Sequence, residues 1–199
     1  MKLEKLIIGL TGNVASGKST VAEILKEKNL YVINTDEIVH KLYETNFFLR
    51  IRLILNFGFK ILDENLSIDR KKLAEIVFNN HKSLDKLNSM VWSSVFKYIN
   101  DDIKNRSGII IIEAPMLFES KGNITNYNIL VTCSLDNQIS RLAKRGLNYE
   151  DSIKRINSQL DQREKESLAD YIIESNSSIE LLREKVNDLY STLINLYYS

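Results

Sequence analysis

GNVASGKST, residues 12–20, lies between the apolar run LIIGL (6–10) and the segment VAEILKE (21–27), and its reading decides the fold. The pattern G-x-x-x-x-G-K-[ST] is met at Gly12, Gly17, Lys18 and Ser19. Gly12 and Gly17 allow backbone torsions and a close approach that a Cβ would hinder. Successive N–H groups along Asn13, Val14, Ala15 and Ser16 and on toward Thr20 are then free to turn inward around a phosphate. Lys18 supplies a movable point charge for β- and γ-phosphates, and the Ser19 hydroxyl suits the shell of a magnesium ion. A glycine turn that binds nothing would not need Lys-Ser after its last glycine.

The flanks supply the context that the motif requires, strand then loop then helix. Leu6 to Leu10 is a short apolar run of the kind buried on both faces of a parallel sheet. After Lys18, the residues Val21, Ala22, Ile24 and Leu25 fall on one helical stripe, and Glu23, Lys26, Glu27 and Lys28 fall on the other.

A chain of 199 residues is long enough for one domain, or a domain with a smaller inserted part. Its formal net charge of +1 gives no overall pull toward nucleic acid or membrane, so anion affinity must be local and neither partner is expected. The single cysteine excludes an internal disulfide framework, and Cys133 reads as a small buried hydrophobe. The opening MKLEKLIIGLTG has too short an apolar run for a signal peptide, and nothing approaches a membrane span. The expected location is the cytoplasm.

Four more strands are predicted: YVIN ending at Asn34, IIII at 109–112, YNILVTC at 127–133 and ADYIIE at 169–174. Asn34 or Thr35 is placed to cap the helix EIVHKLYE, which puts Asp36 in its first turn at the carboxyl end of a strand, where ligands of open parallel sheets bind. An aspartate there also serves as a capping or dipole-facing group. Residues 47 to 105 read as mainly helical, in the stretches FFLRIRLILNFG, DRKKLAEIVFNN and Lys82 to about Lys104. Three helices are more than a simple crossover needs, and an insertion of that size usually carries an acceptor site.

Glu113 directly follows a central strand, a position from which a carboxylate acts on magnesium or serves the structure alone. Arg141 and Arg145 are predicted one turn apart on the same face of the helix QISRLAKRG. The following segment carries Lys154, Arg155, Arg163 and Lys165 interleaved with acids, a pattern that by itself reads as a solvated helical face. Ser177-x-x-Glu180 reads as a capping box opening the last helix, from Ile179. The alternation of strands and helices predicts an α/β fold with a five-stranded parallel sheet.

These residues resemble the dephospho-CoA kinase family over most of the chain. The likeness is carried by GLTGNVASGKSTVA (9–22), VINTDEIVHKL (32–42), FG (57–58), DRKKLAEIVF (69–78) and LNSMV (87–91). It continues in EAPMLFE (113–119), QISRLAKR (138–145), RINSQ (155–159) and ADYIIESN (169–176). The resemblance implies a P-loop kinase fold in three layers, with a helical acceptor-binding insertion at 45–105 and a helical lid at 146–168. It also implies transfer of the γ-phosphoryl of ATP to the ribose 3′-hydroxyl of dephospho-CoA, with Mg2+.

By the same resemblance Asp36 falls on the carboxylate that receives the acceptor proton, and Gly12 to Thr20 hold ATP. Arg141 and Arg145 precede the lid and answer charge on the transferring phosphoryl. Arg155 and Gln159 belong to the lid, while Asp69, Arg70, Leu117, Phe118 and Glu119 shape the acceptor pocket. Ser19 and Glu113 are the candidate metal residues. Two departures stand out: Asn34 occupies a position where the family often has an aspartate, and Trp92-Ser93 replaces a His-Pro. Trp92 then serves by stacking or simply packs, and His40, one turn after Asp36, reads as a surface histidine. Two other readings remain open: a P-loop kinase for a nucleoside monophosphate or shikimate, and a nucleotide switch that binds ATP without transferring it. The latter lacks an N-K-x-D guanine motif.

Overall fold

The computed structural model describes residues 4–78, 80–120, 122 and 124–199. Met1 to Leu3 at the chain's start and Asn79, in the predicted helical stretch 69–80, lie outside them. The chain divides into two compact units, one made of residues 1–34 and 105–199 and the other of 35–104.

The first unit is built on a parallel sheet of five strands: β1 Lys5–Thr11, β2 Tyr31–Asn34, β3 Gly108–Glu113, β4 Tyr127–Thr132 and β5 Tyr171–Glu174. Their order across the sheet is β2-β3-β1-β4-β5. The middle strands read as unbroken apolar runs because both of their faces are covered: Ile8, Leu10, Ile110, Ile111 and Ile129 have no measurable exposure. On one face Leu6, Ile8, Leu10, Ile109, Ile111, Ile129 and Val131 meet Val21, Ala22, Ile24 and Leu25 of α1 (Lys18–Glu27). The same cluster takes in Leu182, Val186, Leu189 and Leu193 of α9 (Ile179–Tyr198), whose 3.6-residue spacing puts them on one stripe. Burying each such aliphatic side chain is worth about 1.5–3 kcal/mol, several times what helix propensity contributes per residue. The stripes therefore fix these helices.

Two local expectations are corrected here. The last helix is capped by Ser178, whose hydroxyl accepts from the Leu181 N–H at 3.4 Å, and not by Ser177. The Ser177 hydroxyl is buried without a hydrogen-bond partner. The helix α6 runs over Leu135–Ala143 and stops before Arg145, so Arg145 lies beyond the helix, although both arginines line one cavity. The stop has a backbone cause: the Arg145 N–H bonds back to Leu142 O at 2.9 Å and Gly146 takes φ +86°, closing the helix with a left-handed residue. Two further helices follow, α7 (Tyr149–Asn157) and α8 (Gln162–Leu168).

The second unit is helical: α2 (Thr35–Thr45), α3 (Phe47–Phe57), α4 (Arg70–Phe78) and α5 (His81–Ile103), with α5 packing on the other three. Asn46 caps α3 by accepting from Leu49 N–H at 2.9 Å, and Asn80 caps α5 by accepting from Ser83 N–H at 3.1 Å. Trp92 stacks on Phe96, one turn along α5, with ring centroids 5.3 Å apart. His40 is a surface residue beside Glu44, at 3.4 Å. No helix among the described residues is long and apolar enough to cross a membrane.

Candidate active site

The sheet register assembles the chemistry. Parallel pairing sets Leu10 and Asn34 level with Glu113 on its two sides, so β1, β2 and β3 end together, with the glycine-rich loop following β1. Glu113 is 2% exposed and accepts three hydrogen bonds. Lys18 Nζ donates to its Oε1 at 2.6 Å, Ser19 Oγ donates to the same oxygen at 2.8 Å, and Asn34 Nδ2 donates to Oε2 at 3.0 Å. A buried carboxylate is tolerated when it is paired and hydrogen-bonded, and this one is both. Asn34, which lacks the acidity of an aspartate, has a use here as a donor to that carboxylate.

The loop itself is tightly determined. A Cβ on Gly12 would come within 2.5 Å of both Ser16 Oγ and the Val131 carbonyl oxygen, so no other residue fits there without moving backbone. Gly17 lies at φ +94° and Ala15 at φ +60°, the latter a left-handed conformation that costs a non-glycine residue about 1–2 kcal/mol. Surrounding groups hold it: Arg141 Nη1 donates to Ala15 O at 3.0 Å and to Ser175 Oγ at 3.1 Å, while Nη2 donates to Ser175 O at 2.6 Å. Ser175 Oγ in turn donates to Ser16 O. The Cys133 thiol, buried as expected and with its pKa pushed up by that burial, points at Ala15 O from 3.7 Å. From another side Gln159 Oε1 accepts from the Val14 N–H at 2.7 Å. Asn13 and Ser16 are buried, each with a side-chain oxygen that has no partner.

The remaining candidates are spread over both units. Arg141, Arg145, Ala15, Gly17, Thr20 and Ser175 line a cavity of about 270 Å³ beside the loop. Arg145 is exposed at its rim and Arg155 is exposed on α7. Leu117 is buried at 4%, and Phe118 follows it half-buried. Glu119 pairs with Lys165 at 2.9 Å and accepts from the Leu160 N–H at 3.1 Å. Lys165 is fully buried, which corrects the expectation that it belongs to a solvated face: its ammonium also donates to Pro115 O at 3.2 Å. In the second unit Asp36 is exposed in the first turn of α2. Asp69 accepts from the Lys71 and Lys72 N–H groups at 2.9 and 3.2 Å, holding the start of α4, whose first residue is Arg70.

A hydroxyl, a carboxylate and a lysine converging at the end of a glycine-rich loop suit a polyphosphate and a hard cation. No group of three or more His, Cys, Asp or Glu side chains able to hold a metal occurs among the described residues. That donor set fits magnesium, which takes one or two carboxylates and leaves its other positions to water and substrate phosphates. Ser175 was not singled out from the sequence, and Lys165 was read only as part of a charged helical face. Ser175 had a usable signal, its place at the carboxyl end of β5, whereas Lys165 had none.

The dephospho-CoA kinase family model matches residues 6–180. A dephospho-CoA kinase of Fusobacterium nucleatum is 41% identical over 191 residues, covering 94% of this chain and 98% of that protein. One from Aquifex aeolicus is 38% identical over 190 residues, covering 94% and 96%. Among solved structures, the dephospho-CoA kinase from Campylobacter jejuni superposes with a TM-score of 0.66 at 28% identity, over 94% of this chain and 96% of that one. The match runs from the first strand into the last helix and takes in the loop, Glu113 and the Arg141 segment. The chain belongs to the dephospho-CoA kinase family.

Proposed function

We propose that the chain transfers the γ-phosphoryl group of ATP to the ribose 3′-hydroxyl of dephospho-CoA, giving CoA and ADP, the last step of coenzyme A synthesis. The observation that carries the loop's part in this reading is the cluster of Lys18, Ser19 and Asn34 on Glu113, at the end of the glycine-rich loop. Residues 12–20 hold the polyphosphate, and the neighbouring cavity lined by Arg141, Arg145 and Ser175 takes the nucleoside end.

Phosphoryl transfer asks the protein mainly for positioning and charge stabilisation, because its transition state is loose and its charge is spread over oxygens. Lys18 leaves Glu113 to face the β- and γ-phosphates. Ser19 and Glu113, with the phosphates, would hold magnesium, which when bound neutralises charge on the phosphate oxygens. Arg145 swings from its exposed turn toward the transferring group, whereas Arg141 stays tied to Ala15 and Ser175 and holds the loop. Asp36, two residues beyond Asn34 in the chain, orients the acceptor hydroxyl and takes its proton late.

Within the same reading, residues 45–105 form the acceptor-binding insertion, with Asp69 and Arg70 in it, and 146–168 form the lid, with Arg155 and Gln159. Leu117, Phe118 and Glu119 border the acceptor. Residence in the cytoplasm belongs to this reading and is supported by a lone, buried cysteine. A coupled assay with ATP and magnesium over a panel of acceptors tests it. ADP release that depends on dephospho-CoA and is not elicited by shikimate or nucleoside monophosphates is the expected result, and acceptor-independent release would point to a switch or ATPase.

A further inference from the structure

We infer that Gln159 is a positioning residue of the phosphate loop, held in place by the buried Lys165–Glu119 pair behind it. The path is continuous in the structure. Gln159 Oε1 accepts from the Val14 N–H at 2.7 Å, across 145 residues of sequence. The next residue, Leu160, donates its N–H to Glu119 Oε1 at 3.1 Å, and Lys165 Nζ reaches the same oxygen at 2.9 Å. The Lys165 ammonium, fully buried, also donates to the Pro115 carbonyl at 3.2 Å, two residues after Glu113.

A lysine with no exposure is costly, and a well-packed apolar side chain of similar size would fill the same volume at least as favourably. What the ion pair adds is direction. It fixes the Glu119 oxygen that receives Leu160, and with it the start of α8 and the side chain one residue earlier. That side chain meets the loop where it is strained. Val14 precedes Ala15, which lies at φ +60° and whose carbonyl is held by Arg141 from the opposite flank. The Val14–Ala15 pair is thus held at its N–H by the α7–α8 segment and at its carbonyl by α6. Gripping the loop before nucleotide arrives removes an ordering cost from binding and leaves the chemical step unchanged.

The inference rests on the reading that residues 12–20 hold the phosphates of ATP. Its test is a double-mutant cycle read in ATP affinity and in kcat with saturating ATP and dephospho-CoA. Q159A removes one neutral hydrogen bond and is expected to weaken ATP binding about fivefold, with kcat within about twofold. K165M is expected to weaken it by a similar factor alone, and by less than about twofold more in the Q159A background. Unchanged or tighter ATP binding by Q159A would overturn the inference, as would a full additional loss from K165M in that background. Should K165M fail to fold, K165Q, which removes the charge and keeps a polar end for Glu119 and Pro115, takes its place with the same expected direction and the same coupling to Q159A. K18A separates the two levels. If K18A leaves ATP affinity intact, the phosphate-loop reading itself fails; if it weakens affinity while Q159A and K165M effects simply add, only the positioning role fails.

Discussion

Lys18 Nζ lies 2.6 Å from Glu113 Oε1, with side-chain exposures of 11% and 2%. The loop's cation is therefore neutralised by the carboxylate that ends β3, and on the proposed reading an arriving polyphosphate has to replace one anionic partner by another. Glu113→Gln keeps the shape but removes the charge that faces Lys18 and accepts from Ser19. It is expected to destabilise the fold by about 1–3 kcal/mol in urea unfolding. In steady-state assays it should lower kcat by about a hundredfold, the order seen when one preorganised electrostatic group is lost.

Asp36→Asn preserves size and the first turn of α2 while removing the carboxylate proposed to accept the proton. ATP affinity should stay near that of the parent, and kcat should fall by roughly two to four orders of magnitude, the span of a general base. Turnover close to the parent's would take Asp36 out of the chemistry.

Ala15 is the loop residue whose backbone works against its side chain, at φ +60°. Ala15→Gly relieves about 1–2 kcal/mol of left-handed strain and gives back part of it to the freer unfolded chain, for a net stabilisation of about 0.5–1 kcal/mol. Ala15→Val, branched at Cβ, should go the other way by at least that much. Chemical unfolding of the two variants beside the parent checks the sign.

Tyr43 titrates unusually late. Burial pushes its phenol from 10 up to about 12, and the nearby Arg70 charge offsets only part of that. A phenol with a raised folded-state pKa favours the folded form while it is neutral, so its contribution is intact below pH 10 and is lost as the pH climbs from 10 to about 12. Unfolding monitored across that range should show a loss of stability that Tyr43→Phe reduces, and the phenolate absorbance of Tyr43 should develop only toward its upper end.

The sheet and the strand–loop–helix around residues 12–20 were legible in the sequence because local signals settle them. An isoleucine run bounded by Gly108 and Glu113 has no good alternative to a buried strand, and Gly-Lys-Ser after an apolar run has few alternatives to this loop. Lys165 was not legible. DQREKE alternates charges as any solvated helix does, and burial of one of them is decided by Glu119 and Pro115, 46 and 50 residues away in sequence. Arg141 and Arg145 looked equivalent at four-residue spacing, but Gly146 ends the turn, leaving one bonded to Ala15 and Ser175 and the other exposed. The choice between Ser177 and Ser178 as cap turned on which hydroxyl faces a free N–H, a matter of one residue that composition does not resolve.

The central claim is that the loop at residues 12–20 delivers a phosphoryl group to a ribose hydroxyl of dephospho-CoA. Incubation with ATP labelled at the γ-phosphate, magnesium and dephospho-CoA, followed by mass and label analysis of the products, tests it most directly. Label recovered in CoA as a 3′-phosphomonoester, in equal amount with the ADP formed and absent from K18A, is the predicted result. Label recovered as inorganic phosphate at the same rate with or without dephospho-CoA would contradict it.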